Sequence, residues 1–90
     1  MGERRNQLEI IYDILEAIQN KGGMIRPTHL LYKSNLSHAR MKEYIEQLTN
    51  KGMITMQERN GKPHFGITEQ GSRFLVDYKK VRELTEAFGL

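Results

Sequence analysis

Along the first third of the chain, apolar residues recur at helical spacing. Leu8, Ile11, Leu15 and Ile18 form one stripe, and Ile10 and Ile14 widen it. Asn6, with Glu9 three residues later, is a capping pair. Gly22-Gly23 stops the helix by accepting backbone conformations that other residues resist. The spacing predicts a first helix from about Gln7 to Lys21, with a broad apolar face that packs against more than one element. Met24 to Arg26 fits a small edge strand. Pro27 suits the first turn of a second helix, where its missing N–H has no partner to lose. Thr28 to Ser34 continue that helix, with Leu30 and Leu31 turned inward.

After the turn Ser34-Asn35-Leu36, the Ser37 hydroxyl can cap a third helix running from about His38 to Asn50. Met41, Ile45 and Leu48 share one face of it, with Tyr44 at the edge. Gly52 ends it. Met53 to Arg59 then alternate in the manner of a strand, and Asn60-Gly61 is a strong hairpin signal because both residues tolerate positive φ. Lys62 to Ile67 form the return strand. Pro63 cannot donate to a ladder, so the strand is an edge at that point. Thr68 caps a last helix, Glu69 suits its first turn, and Gly71 permits a close neighbour. Phe74, Tyr78, Val81, Thr85 and Phe88 then recur at spacings of four and three, flanked by Leu75 and Leu84. That helix, about 30 Å long at 1.5 Å per residue, outlasts the module before it. Val81 to Phe88 have no evident partner within the chain.

Helix, short helix, third helix and β-ribbon, in that order, define the expected fold. It is mainly α (α+β), a winged helix-turn-helix with a two-stranded β-wing and a long C-terminal dimerisation helix. Ninety residues make one domain, 1–90, with residues 7–67 as the winged core and 68–90 as the assembly helix. A chain of this length buries only roughly 60% of its unfolded surface and gains from a partner.

The charge is unevenly placed. The net value is +3. Residues 1–20 carry two basic and four acidic side chains, residues 67–90 carry four of each, and residues 21–66 carry eight basic and three acidic, a local net of +5. The excess sits in the reading module and attracts polyanions. With no cysteine there are no disulfides or thiolate metal sites. No apolar run is long enough to span a bilayer, and the polar stretch Met1–Asn6 lacks an apolar signal core. These features predict a soluble cytoplasmic protein with no membrane partner.

Five segments carry a family resemblance: IIYDILEAI in the first helix, LLYKSNLS across the second helix and turn, MKEYIEQL in the third, KGMI entering the ribbon and ITEQGSRFL entering the last helix. In their order and spacing the chain resembles small archaeal winged-helix DNA-binding proteins that dimerise through a C-terminal coiled-coil helix. The resemblance implies a homodimer, double-stranded DNA as partner, and a role in transcriptional regulation or chromatin association.

The third helix, residues 37–50, is then the recognition helix. Its early residues Ser37, His38, Arg40 and Lys42 face the major groove, with Arg40 suited to guanine and Lys42 to phosphate. Glu43 and Glu46 lie near that face and oppose phosphate, although a carboxylate can accept from cytosine. Lys33 and Asn35 flank the turn as phosphate contacts. Arg59, Asn60 and Lys62, with His64 near them, surround the tip of a basic wing spanning about residues 57–64. Tyr78, Val81, Leu84, Thr85 and Phe88 are the dimerisation residues, Tyr78 at the boundary with the monomer core.

His29, His38 and His64 lack the spacing of zinc ligands. There is no Walker loop, no dinucleotide fingerprint and no nucleophile elbow, so no catalytic site, cofactor or small-molecule ligand is expected. Two alternatives remain. Winged helices also serve as protein-interaction modules, which Glu43 and Glu46 favour. RNA binding is disfavoured because Phe65 is the sole aromatic of the ribbon.

Overall fold

Four helices and three strands follow in the order α1 (Gln7–Asn20), β1 (Met24–Ile25), α2 (Pro27–Ser34), α3 (His38–Asn50), β2 (Ile54–Arg59), β3 (Lys62–Ile67) and α4 (Glu69–Ala87). The computed structural model describes residues 5–90. Of the polar stretch Met1–Asn6, residues 1–4 lie outside the described residues.

Local chemistry sets most boundaries. The Asn6 side chain accepts from the Glu9 amide at 2.8 Å, and the Glu9 carboxylate accepts from the Asn6 amide at 2.9 Å, a reciprocal capping box that opens α1. α2 ends at Asn35, which takes the left-handed conformation at φ 56. Ser37 Oγ accepts from the Arg40 amide at 3.1 Å and starts α3. Thr68 Oγ1 accepts from the Gly71 amide at 3.1 Å and donates to the Gly52 carbonyl at 2.7 Å, tying the start of α4 to the end of α3. Before α1, Arg5 reaches Asp13 Oδ2 at 2.7 Å and the Ser34 carbonyl at 2.8 Å, strapping the incoming chain across α1 to the end of α2.

The sheet is antiparallel with order β1-β3-β2, so the two-stranded wing expected from sequence has a third, two-residue strand beside it. β1 pairs only with Phe65 and Gly66. β3 is therefore central at that point and an edge at Pro63, as its lack of an N–H requires. The hairpin turn Asn60-Gly61 has φ 53 and 74. Pairing next to a two-residue turn alternates from a bonded pair at Arg59–Lys62 to a non-bonded pair at Glu58–Pro63. The Pro63 nitrogen thus faces the open side.

α1 lies at the centre. Ile10, Ile14, Leu15 and Ile18 pack with Ile25, Leu30, Leu48, Ile54, Phe65 and Leu75 in one core. Two helix faces differ from the spacing argument. Leu8 is 51% exposed, whereas Tyr12, one turn on, is buried. The cause is α4, which runs antiparallel along α1 and covers Tyr12: the Tyr78 ring lies 5.4 Å from it and the Arg82 guanidinium 5.2 Å above it. Phe74 stacks on Tyr78 at 5.7 Å. Burial raises the Tyr12 pKa, and the hydrogen bond from its hydroxyl to Glu16, with the carboxylate charge, adds to the effect. In α3, Met41, Tyr44 and Leu48 are the buried residues, and Ile45 is half-buried. Ile45 faces the ribbon, where it shares an open groove with Met56 and Phe65. Tyr44 turns toward the start of α1, where it and Gln7 border one cleft.

Gly71 explains how α4 leaves the module. A Cβ there would sit 2.5 Å from the Met53 carbonyl oxygen and 2.9 Å from Ile67 Cγ1. Only a residue without a side chain lets α4 start this close to β3. No helix among the described residues is long and apolar enough to cross a membrane.

Candidate nucleic-acid interface

The αL residue Asn35 and the cap Ser37 turn the chain between α2 and α3 and leave the first turns of α3 outermost. His38 and Lys42 are exposed there, as are Lys33 in the last turn of α2 and Asn35 itself. Lys33 also borders an open groove of about 480 Å³ between α1 and α2, shared with Asp13, Glu16 and His29.

Arg40 is held differently. Its guanidinium lies 5.7 Å from the Tyr44 ring centroid and donates to the Tyr44 hydroxyl at 3.4 Å. The two residues are one turn apart on α3, and Tyr44 is itself buried. Arg40 and Lys42 therefore do not form one patch: two residues along a helix is about 160° around its axis. Between them the exposed centre of α3 carries Ala39, Glu43, Glu46 and Asn50. Neither glutamate makes an ion pair among the described residues.

The ribbon sorts its charges by face. Cross-strand partners share a side of an antiparallel pair. Ile54–Ile67, Met56–Phe65 and Glu58–Pro63 form one face, which meets the core and α3. Thr55–Gly66, Gln57–His64 and Arg59–Lys62 form the other. Gly66 confirms the assignment. A Cβ on it would meet Gln57 Nε2 at 2.6 Å and Thr55 Oγ1 at 3.3 Å, and Gln57 Nε2 donates to Thr55 Oγ1 at 2.9 Å. The Gln57 amide thus lies flat over the glycine. His64 Nδ1 is 2.9 Å from the Lys62 carbonyl. Arg59, Asn60 and Lys62 are exposed at the tip.

The five residues read from sequence as an assembly stripe divide in two on α4. Tyr78 is half-buried and engaged with Tyr12 and Phe74. Val81, Leu84 and Phe88 stand 54%, 60% and 73% exposed. Thr85 is half-buried and donates to the Arg82 carbonyl at 2.9 Å. Leu8, one turn before Tyr12 on α1, is likewise exposed.

Gln57, at the start of the wing read as about residues 57–64, lies exposed beside Thr55, a placement that alternation along β2 signals. Among the described residues, no group of three or more histidines and carboxylates converges in the manner of a metal site.

Residues 4–86 match the winged helix-turn-helix family, and the chain belongs to it. Among solved structures, it is similar to the crystal structure of Sso10a-2, a DNA-binding protein from Sulfolobus solfataricus. The TM-score is 0.77, with 23% identity over 93% of this chain and 85% of that one. It is also similar to a putative transcriptional regulator from Pseudomonas aeruginosa PA01, with a TM-score of 0.74, 19% identity and coverage of 93% of this chain. This chain spans 59% of the length of that regulator. At such identities the likeness concerns the fold. A search of curated proteins finds no match.

Proposed function

We propose that this winged helix binds double-stranded DNA as a homodimer, with residues 7–67 as the reading unit and 68–90 as the assembly helix. One observation carries the DNA reading. Lys33, Lys42, Arg59 and Lys62 are all exposed on the helix-turn-helix and wing, and none makes an ion pair among the described residues. Cations left unneutralised on one module are suited to phosphate, whose counterions they displace. His38, Ser37 and Asn35 add polar contacts at the start of α3, and Asn60 adds one at the wing tip. Arg40, on leaving the Tyr44 ring, reaches a base edge. The described function of Sso10a-2 and the regulator status of the Pseudomonas protein agree with this reading. So does the resemblance to archaeal winged-helix dimers.

Val81, Leu84 and Phe88 support the assembly half of the proposal. Exposed apolar residues in a row on one helix mark an interface, and a second copy supplies the same stripe. Thr85 lies within it, and Tyr78 closes its inner end. A two-fold dimer presents two α3 helices to major-groove faces about 34 Å apart, or a multiple of that. Its place is the nucleoid, as a transcriptional regulator or chromatin component.

A second reading rests on Glu43 and Glu46. They place two carboxylates at the exposed centre of α3, which suits a protein partner better than phosphate. Amide chemical-shift mapping separates the two. Addition of a duplex is expected to move resonances in 33–42 and 57–64. No movement in either segment at low salt would favour the protein-interaction module.

A further inference from the structure

The sheet has two unequal edges. Its order is β1-β3-β2. On one side β1 covers Phe65 and Gly66, and Pro63 offers no N–H where β3 lies open. The other edge is β2, Ile54–Arg59, which contains no proline and no lysine. Every residue of it except Ile54 is exposed. Pairing with β3 occupies only alternate residues. Thr55, Gln57 and Arg59 stand in bonded pairs, whereas Met56 and Glu58 stand in non-bonded pairs. The N–H and C=O groups of Met56 and Glu58 therefore point away from β3. Neither residue has another backbone partner among the described residues. Unpaired donors and acceptors thus lie in a row along an exposed edge.

The side chains of the same two residues fall on the face toward α3. Met56, 62% exposed, borders an open groove of about 480 Å³ with Ile45 and Phe65. Glu46, Thr49 and Asn50 of α3 complete its wall. No cation lines the groove, and Lys42 lies one turn before Glu46 on α3. Glu58 follows Met56 on the same face of β2. The edge therefore offers an apolar centre with a carboxylate on each wall, and neither carboxylate makes an ion pair among the described residues.

We propose that the β2 edge docks an extended, basic peptide segment of a partner protein. The segment adds a strand beside Met56 and Glu58, sets an apolar side chain against Met56 and a lysine or arginine against Glu58. Backbone pairing supplies affinity, and the alternate side chains supply selectivity. Opposite charges facing each other across strands stabilise the pair, and like charges oppose it. Charge complementarity thus selects a basic segment. It also disfavours a second copy of β2, whose side toward α3 brings Ile54, Met56 and Glu58 and no cation. The site uses none of the residues assigned to DNA, so failure of the duplex reading leaves it intact.

The test titrates the full chain with the terminally blocked peptide Thr-Lys-Thr-Val-Thr-Lys-Thr and follows amide hydrogen exchange by NMR. The peptide reads alike in both directions, so it serves parallel and antiparallel pairing. Exchange at Met56 and Glu58 is expected to slow, because their amides gain partners. Thr55 and Gln57, already bonded to β3, should change least. A fully N-methylated peptide keeps the side chains and lacks the donors, and it should slow neither amide. The same is expected when glutamate replaces both lysines. Glu58→Gln, at an exposed residue, should keep its thermal melt and bind the lysine peptide about two- to fivefold more weakly. Unchanged exchange at Met56 and Glu58 with millimolar peptide overturns the proposal. Equal slowing by the N-methylated or the glutamate peptide also overturns it, since neither strand pairing nor charge would then select the partner. Slowing that grows with protein concentration in the absence of peptide overturns it as well, because a second copy would then hold the edge.

Discussion

Arg40 rests its guanidinium on the ring of Tyr44, 5.7 Å from the centroid, and donates to its hydroxyl at 3.4 Å. The pair sits at the flank of α3, where the helix turns from core to solvent. Engagement of a base by Arg40 would exchange both contacts for those of the base edge.

Arg40→Ala is expected to weaken DNA binding and flatten any sequence preference, with a loss of about 1–3 kcal/mol at the base it reads. Its effect on stability should be under about 1 kcal/mol, the range of a partly exposed cation–π contact. Lys42→Ala should weaken all sequences alike. Titrations against preferred and random duplexes check both. Unchanged affinity in both variants at moderate salt would mean that α3 is not the reading surface.

Gly71→Ala tests how α4 is joined to the module. The added methyl would sit 2.5 Å from the Met53 carbonyl oxygen, an atom that cannot turn aside. Overpacking of this kind costs about 1–3 kcal/mol. Urea denaturation should show the midpoint falling, and an unchanged midpoint would mean that the α4 junction relaxes freely.

Much of this architecture was legible in the sequence because it is local. The Asn6–Glu9 box, the Ser37 and Thr68 caps and the Asn60-Gly61 turn each depend on residues within a few positions, and all form as expected. Gly71 was legible as a close approach, although its neighbour Met53 was not. Side-chain burial was harder to read. Leu8 and Tyr12 exchange roles because α4, more than fifty residues away in sequence, covers one and leaves the other open. Ile45 and Tyr44 exchange places because the ribbon and α1 flank α3 unequally. Arg40 and Lys42, two positions apart, read as one patch in a string of letters and diverge on a helix.

Val81→Asp combined with Leu84→Asp is expected to give a monomer. Each carboxylate would be buried unpaired in the proposed interface, a cost too large for a small contact to bear. Both residues are exposed in the single chain, so the fold should persist, with an unchanged circular dichroism spectrum. Sedimentation equilibrium that still reports a dimer would place the interface elsewhere.

The Tyr12 hydroxyl predicts a loss of stability in base. Its folded pKa is raised, chiefly by burial and then by Glu16, so the unfolded chain ionises first. The stability it contributes is fully present below the unfolded value of about 10 and is lost as pH rises through the folded value. Denaturation midpoints should therefore fall above pH of about 10, and Tyr12→Phe should fall less steeply over that window. Parallel curves for the two proteins would mean that Tyr12 is not the titrating group.

Whether the exposed cations of the helix-turn-helix and wing bind duplex DNA is decided by fluorescence anisotropy with a labelled random-sequence duplex of about 25 base pairs over a range of salt concentrations. Saturable binding is expected at low salt, weakening linearly on a log–log plot with a slope that counts the phosphates engaged. Absence of binding at low salt, or an affinity indifferent to salt, would contradict it.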